Sequence, residues 1–522
     1  MAEPYYLTTA ISYPNGKPHI GHAYEAIAAD VMARFKRLRG FDVRFQTGTD
    51  EHGLKMAQKA RDLGTTPAAL ADEMSQYFID MCDKLNISYD VFLRTSEPRH
   101  HLASQELWRR MEKAGDLYLD RYEGWYSIRD EAYYDESELI EGEGPGGESV
   151  KLSPQGTPVE WTVEESWFFR LSKYAEPLLA LYRSQPDFLL PDSRRNEVSR
   201  FVEGGLRDLS MSRTTFDWGV KVPGGEGSEG NGHVMYVWVD ALTNYLTGLG
   251  FPEETGEMAK WWPADLHLIG KDIVRFHTVY WPAFLMSAGL PLPRQVFGHG
   301  FVLNRGQKES KSLGNVTDPV ELADRFGVDT LRYFLLREVA FGQDGSYSPE
   351  AIVTRANAEL ANSFGNLVQR VLSFIAKNCG GEVTATAPIE DADAVLRGKV
   401  AAACRDELPA AFDRLAFSVG IEAWMQAVFA CNQYVDEQAP WALRKTDPAR
   451  MERVLATLCD CIRDLAIAIS PVVPVAAARM LDALCVPADR RDYAALGNAP
   501  TTVRVENPTP AFPRLEVPAG DA

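Results

Sequence analysis

The spacing of apolar residues predicts a β-strand over Tyr5–Ser12, closed by the turn Tyr13-Pro14-Asn15-Gly16. Helical spacing follows from about Gly21 to Arg37, and Asp42–Thr47 reads as a second strand. Strand, helix and strand in quick succession form the βαβ unit of a parallel α/β sheet. Strand-like runs return at His233–Val239 and Leu266–Gly270, each leading into a helical pattern, so the same sheet is expected to resume after an excursion. From Pro349 to about Asp482 the spacing is helical almost throughout, which predicts an all-α domain of about five helices. The tail from Thr501, with Pro508, Pro510, Pro513 and Pro518, is too rich in proline for regular structure. It is expected to pack back as an extended strap or to stay loose.

Between the two α/β halves the character changes. Residues 116–148 carry eleven acidic side chains against Arg121 and Arg129, with aromatic residues at 118, 122, 125, 126, 133 and 134, and predict an insertion of short strands. Two Gly-x-Gly-x-x-Gly runs, at 142–147 and 225–230, have neither a preceding strand nor a following helix. Glu141, Glu143 and Glu226 would repel a phosphate there, so they read as surface turns. Cys459-x-Cys461 has no second pair and reads as two buried thiols.

With 522 residues, three or four domains are expected and a single binding module is excluded. A net charge of −19 argues against coating nucleic acid or anionic membrane by bulk charge, so any nucleic-acid contact must be local. Seven cysteines without framework spacing read as reduced thiols. The amino terminus lacks a basic leader, and the apolar run Leu465–Ala478 is broken by Ser470, Pro471 and Pro474. A cytoplasmic protein with no membrane contact is expected.

Candidate chemistry sits where the first strand gives way to the first helix. His19 and His22 share one helix face, Gly21 admits close approach to the backbone, and the helix start favours phosphate. Some 290 residues later, Lys308-Glu309-Ser310-Lys311-Ser312 puts two ammonium groups in a flexible stretch. Read separately, these are a helix that begins with histidines and a solvated basic loop. Together and in this order, they match the two signatures, HIGH and KMSKS, of class I aminoacyl-tRNA synthetases.

Over nearly its full length the chain resembles the methionyl-tRNA synthetase family. The resemblance implies an α/β, Rossmann-type parallel sheet catalytic domain split by an insertion, followed by an all-α helical-bundle anticodon-binding domain. The boundaries expected are 1–115 and 233–315 for the two halves of the catalytic domain, 116–232 for the insertion, 316–355 for a stem-contact linker, 356–500 for the helical domain and 501–522 for the tail. His19, His22, Lys308 and Lys311 would act on the phosphates. Methionine would meet Ala10, Ile11 and Tyr13, place its ammonium at Asp50, and fill a slot made by Trp238, Ala241, Leu242, Tyr245 and His277. ATP would meet His19, Gly21, His22, Gly270, Asp272, His299, Lys308 and Lys311, with Mg²⁺ accompanying it. Asn366, Arg370, Pro440 and Trp441 match the positions that read the anticodon of initiator and elongator tRNA-Met.

Two departures stand out. Family members often carry a zinc knuckle in the insertion, whereas Ser127 stands where a cysteine would sit and no cysteine occurs between Cys82 and Cys379, so no structural zinc is expected. Glu309 replaces the usual methionine of the lysine loop. Within class I, the cysteine enzyme is disfavoured for want of zinc ligands, and the leucine, isoleucine and valine enzymes because the insertion is too short for their editing domain. A small-molecule nucleotidylyltransferase would not need the helical domain, and a non-catalytic tRNA-binding factor would not need both histidines and both lysines. With no appended dimerisation module, a monomer is expected.

Overall fold

The computed structural model describes residues 2–516 apart from 131, 144–148, 225–231, 310–315 and 499. Strand β1 (Pro4–Thr9) leads through a loop into helix α1 (Ile20–Leu38), which returns the chain to β2 (Asp42–Thr49) and then β3 (Val91–Arg94). Helix α2 (Pro98–Lys113) precedes two long antiparallel strands of the insertion, β4 (Leu117–Ser127) and β5 (Glu160–Phe169), paired from Leu117↔Phe169 to Tyr126↔Glu160. A short strand β6 (Leu189–Leu190), helix α3 (Val237–Thr247), β7 (Leu266–Gly270) and β8 (Val296–His299) complete the α/β part. The sheet order is β3-β2-β1-β7-β8-β6, with every neighbouring pair parallel.

Connections run outward in both directions from β1 and β7, so the carboxyl ends of these two strands border a crevice at the topological switch point. Successive side chains of β1 point to opposite faces: Tyr6 joins one apolar core and Leu7 the other. The Leu7 core continues without interruption into the helical part of the molecule.

Several elements differ from the sequence reading. The first strand stops at Thr9, and Ser12 makes only an isolated bridge to Thr49 as the chain leaves the sheet edge. The apolar run His233–Val239 holds a two-residue strand, Val234–Met235, paired antiparallel with Ser212–Arg213 outside the parallel sheet, and α3 already begins at Val237. A helix buried on nearly all sides has the same apolar run as a buried strand, which is why spacing misplaced it. Strand β6 lies within the stretch 116–232 yet pairs with β8, so that excursion supplies an edge strand to the sheet. The tail is not free of regular structure: Thr502–Arg504 pairs antiparallel with Glu382–Thr384, whose open edge compensates for the proline-rich neighbours. Beyond it Phe512 is buried and Leu515 exchanges hydrogen bonds with Asn357, so the tail packs back as a strap.

In the helical part, α4 (Val328–Glu338) leads to a rod running from Pro349 to Asn378, whose last segment is α5 (Asn366–Asn378). Helices α6 (Phe417–Gln438), α7 (Pro440–Thr446) and α8 (Pro448–Ile469) follow. Arg332 of α4 is fully buried and donates to the carbonyls of Leu85, Pro471 and Val472 and to Asp30 of α1 at 2.6 Å, tying the first helix to the helical domain. No helix of the described residues is long and apolar enough to cross a membrane.

Candidate active site and anticodon surface

The loop Ala10–His19 and the start of α1 build one wall of a cavity of about 410 Å³ at the switch point. Helix α1 begins with a reciprocal cap: the Gly21 N–H donates to His19 Nδ1 at 3.0 Å and the His19 N–H to His22 Nδ1 at 3.1 Å. Because each Nδ1 accepts, a neutral imidazole carries its hydrogen on Nε2, which makes Nε2–H the donor of each ring. The rings lie 3.9 Å apart, and His22 also packs against Phe78.

The cavity gathers most of the residues singled out from the sequence. Ala10, Ile11, Tyr13, His19, Gly21, His22, Asp50, Trp238, Gly270, Asp272 and His299 all line it. The remaining positions expected to contact methionine, Ala241, Leu242, Tyr245 and His277, are buried and do not line it. His277 Nδ1 faces the Ile273 carbonyl at 3.0 Å and its Nε2 faces Tyr245 Oη at 2.6 Å. The carbonyl can only accept, so Nδ1–H donates to it and Tyr245 donates to Nε2. Burial pushes His277 down to about 4, which keeps this acceptor neutral. Trp238 stacks on Phe276 with 3.7 Å between ring centres and stands edge-on to His277. Lys308 lies over the Phe301 ring at 4.5 Å, outside the cavity lining, and Lys311 falls outside the described residues. The glycine-rich runs at 142–147 and 225–230 likewise fall largely outside them.

Sequence reading missed Glu25. Its carboxylate lines the cavity, accepts from the Ala10 N–H at 3.1 Å and meets His299 Nε2 at 2.8 Å, joining the loop after β1 to the end of β8. Burial alone would lower His299, but the Glu25 carboxylate outweighs it and holds the imidazole above its ordinary value. The signal was available: Glu25 lies one turn after His22 on the same face of α1. Arg129, Asp130 and Gln155 of the insertion also reach the cavity, and no local motif marks them.

Around Ser127, hydroxyls and one carboxylate bond to one another. Thr157 Oγ1 lies 2.7 Å from Ser127 Oγ and from Ser153 Oγ, and both Ser153 and Thr157 donate to Asp130 at 2.5 Å. Hydroxyls lack the thiolate and imidazole chemistry of a structural zinc site, so this donor set does not fit zinc. Glu309 accepts from Tyr347 Oη at 2.7 Å and from the Thr317 N–H at 3.1 Å, which ties the front of the lysine loop to the strand Gly345–Tyr347.

A second surface lies on the helical domain. Asn366 and Arg370 sit one turn apart on α5, and Pro440 occupies the first turn of α7, next to Trp441. The Arg370 guanidinium lies 5.2 Å over the Trp441 ring and pairs with Asp436 at 2.8 Å, while Trp441 remains 45% exposed. An exposed indole beside a fixed guanidinium can stack an unpaired base.

Comparison with known proteins matches both parts of the chain. The family model for class I tRNA synthetases (M) matches residues 5–372, and that for the anticodon binding domain of methionyl tRNA ligase matches residues 391–513. The methionine–tRNA ligase of Brucella suis biovar 1 is 56% identical over 98% of each chain, and that of Rhizobium meliloti is 55% identical over 99% of each. The structure of Mycobacterium tuberculosis methionyl-tRNA synthetase in complex with methionyl-adenylate superposes with a TM-score of 0.94 at 54% identity, covering 98% of this chain and 100% of that one.

Proposed function

The chain belongs to the methionyl-tRNA synthetases of class I, and from that membership we propose how its own residues divide the reaction. That reaction is the ATP-dependent activation of L-methionine to methionyl-adenylate, followed by transfer of the methionyl group to tRNA. The methionine carboxylate attacks the α-phosphorus and pyrophosphate leaves, so no protein nucleophile is needed and the work is positioning plus stabilisation of negative charge. His19 and His22 present Nε2–H donors to the phosphates, Gly21 leaves room for them at the helix start, and Lys308 and Lys311 neutralise the departing pyrophosphate. Asp272 meets the ribose, with Gly270 and His299 beside the adenine.

Asp50 receives the substrate ammonium, while Ala10, Ile11 and Tyr13 line the path to the side-chain slot. Trp238 provides a polarisable wall, and an aromatic ring beside sulfur gains about 0.3–1.5 kcal/mol. Ala241, Leu242 and the Tyr245–His277 pair support that wall from within the core. Mg²⁺ would accompany ATP as part of the substrate and would supply positive charge to its phosphates. Asn366, Arg370, Pro440 and Trp441 read the anticodon of initiator and elongator tRNA-Met, and the chain works as a cytoplasmic monomer.

The observation that carries this reading is the single cavity in which the histidine pair, Asp50 and Trp238 meet. Asp50→Ala tests it. A charged hydrogen bond worth about 1.5–3 kcal/mol corresponds to roughly a 10- to 150-fold rise in KM for methionine, measured by ATP–pyrophosphate exchange, with KM for ATP little changed. An unchanged KM for methionine would refute the assignment.

A further inference from the structure

Two residues beyond the cavity-lining Trp238 lies a buried carboxylate that the proposed reaction does not use. Asp240 of α3 is fully buried, and each of its oxygens faces an imidazole from a different element. His52 Nδ1 lies 2.6 Å from Oδ2, and His100 Nε2 of α2 lies 2.7 Å from Oδ1. Burial opposes the charge of Asp240, but the two histidines outweigh it and hold its carboxyl well below the usual range. An ionised carboxylate only accepts, so both rings donate to it.

The two ends of this bridge carry opposite ends of the proposed substrate. His52 stands two residues beyond Asp50, in a loop fixed on its other flank as well. Glu51 is fully buried and paired with Arg94 at 2.6 Å, its carbonyl accepts from Trp218 Nε1–H at 2.6 Å, and the Asp50 N–H donates to the Ser12 carbonyl at 2.9 Å. Asp240 lies two residues beyond Trp238, and farther along α3 the Gln46 amide of β2 clamps Asn244 at 2.8 Å. The loop of the ammonium anchor and the helix of the thioether wall are therefore bolted together through one carboxylate, with His100 holding that carboxylate from behind.

We propose that Asp240 is a positioning residue that sets the separation between the ammonium anchor and the thioether wall, and so the side-chain length that the enzyme accepts. The proposal rests on the assignment of Asp50 and Trp238 given above. A substrate one methylene too short cannot reach both ends of a fixed span, and one that is too long must displace the wall. Apolar pockets discriminate a single methylene by about 10- to 200-fold.

Amino-acid-dependent ATP–pyrophosphate exchange with S-methylcysteine, methionine and ethionine tests this as a series differing by one methylene. In Asp240→Asn, which keeps the shape and removes the charge, the preference for methionine over both neighbours should fall by about tenfold or more, with KM for ATP unchanged. His52→Gln removes the same bond from the loop side and should flatten the series in the same direction; it also carries the test if Asp240→Asn does not fold. A parallel loss for all three substrates with the ratios intact, or no change, would overturn the proposal. Asp50→Ala separates the two claims: if it leaves KM for methionine unchanged, the anchor assignment has failed. If it raises KM while Asp240→Asn and His52→Gln keep the length series, the span proposal alone has failed.

Discussion

At the residue scale, the cap of α1 explains how two uncharged histidines can donate from Nε2, the role proposed for them toward phosphate. Their Nδ1 atoms are occupied by the Gly21 and His19 N–H groups, so each ring is turned and its tautomer fixed before any ligand arrives. Interactions of this kind act on charge that develops in the transition state. Replacement of His22 by Ala should therefore lower the single-turnover rate of adenylate formation by roughly 100- to 1,000-fold, while methionine affinity, measured by fluorescence titration, stays close to that of the parent. Equal rates in the two proteins would remove His22 from the chemistry. Residue types and spacing made this pair legible in the sequence because the cap is local. Asp240 was legible only as part of a motif, since its partners His52 and His100 lie 188 and 140 residues away in the chain.

At the scale of elements, the helical domain presents its side chains through contacts between helices. Arg370 on α5 is fixed by Asp436 on α6 and by the indole of Trp441 on α7, so three elements converge on one exposed ring. Loss of one base stack is worth about 1–3 kcal/mol, which corresponds to roughly a 5- to 150-fold drop in kcat/KM for tRNA. Trp441→Ala should show this drop in aminoacylation and leave methionine-dependent ATP–pyrophosphate exchange at the parent level. Unchanged aminoacylation would mean that this surface does not read tRNA, and equal losses in both assays would indicate misfolding. The acidic balance of the chain sharpens the contrast, because little nonspecific attraction to the phosphate backbone remains to replace the contact. The helical spacing expected from Pro349 to about Asp482 includes α5 and α7, but Asp436 as the partner of Arg370 depends on how α6 packs, which spacing does not encode.

At the scale of the whole molecule, the α/β part and the helical part are joined by one apolar core and by the buried Asp30–Arg332 pair. Burial raises the cost of charge on Asp30, and Arg332 and Arg34 overcome it, so its folded-state carboxyl sits below the ordinary range. A depressed carboxylate stabilises the fold above its unfolded value of about 3.9 and loses that contribution as the pH falls through the folded value. Asp30→Asn should thus cost about 3–5 kcal/mol at neutral pH by leaving the buried Arg332 guanidinium without its counter-charge. Its unfolding temperature should converge on that of the parent as both are acidified; curves that stay parallel down to pH 2 would contradict the linkage. Strands β3 and β8 carried no prediction and His233–Val239 was expected in the sheet, whereas β1, β2, β7 and the helical domain were readable from spacing. Strand β6 was not, because two apolar residues carry no periodicity, and neither was Arg332, whose acceptors come from three distant segments. The central proposal is a cavity shaped for one amino acid, and ATP–pyrophosphate exchange run with each of the twenty amino acids tests it most directly. Methionine should drive exchange at least about 100-fold better than leucine, isoleucine, valine or cysteine, whereas comparable exchange with any of these, or none with methionine, would contradict the account.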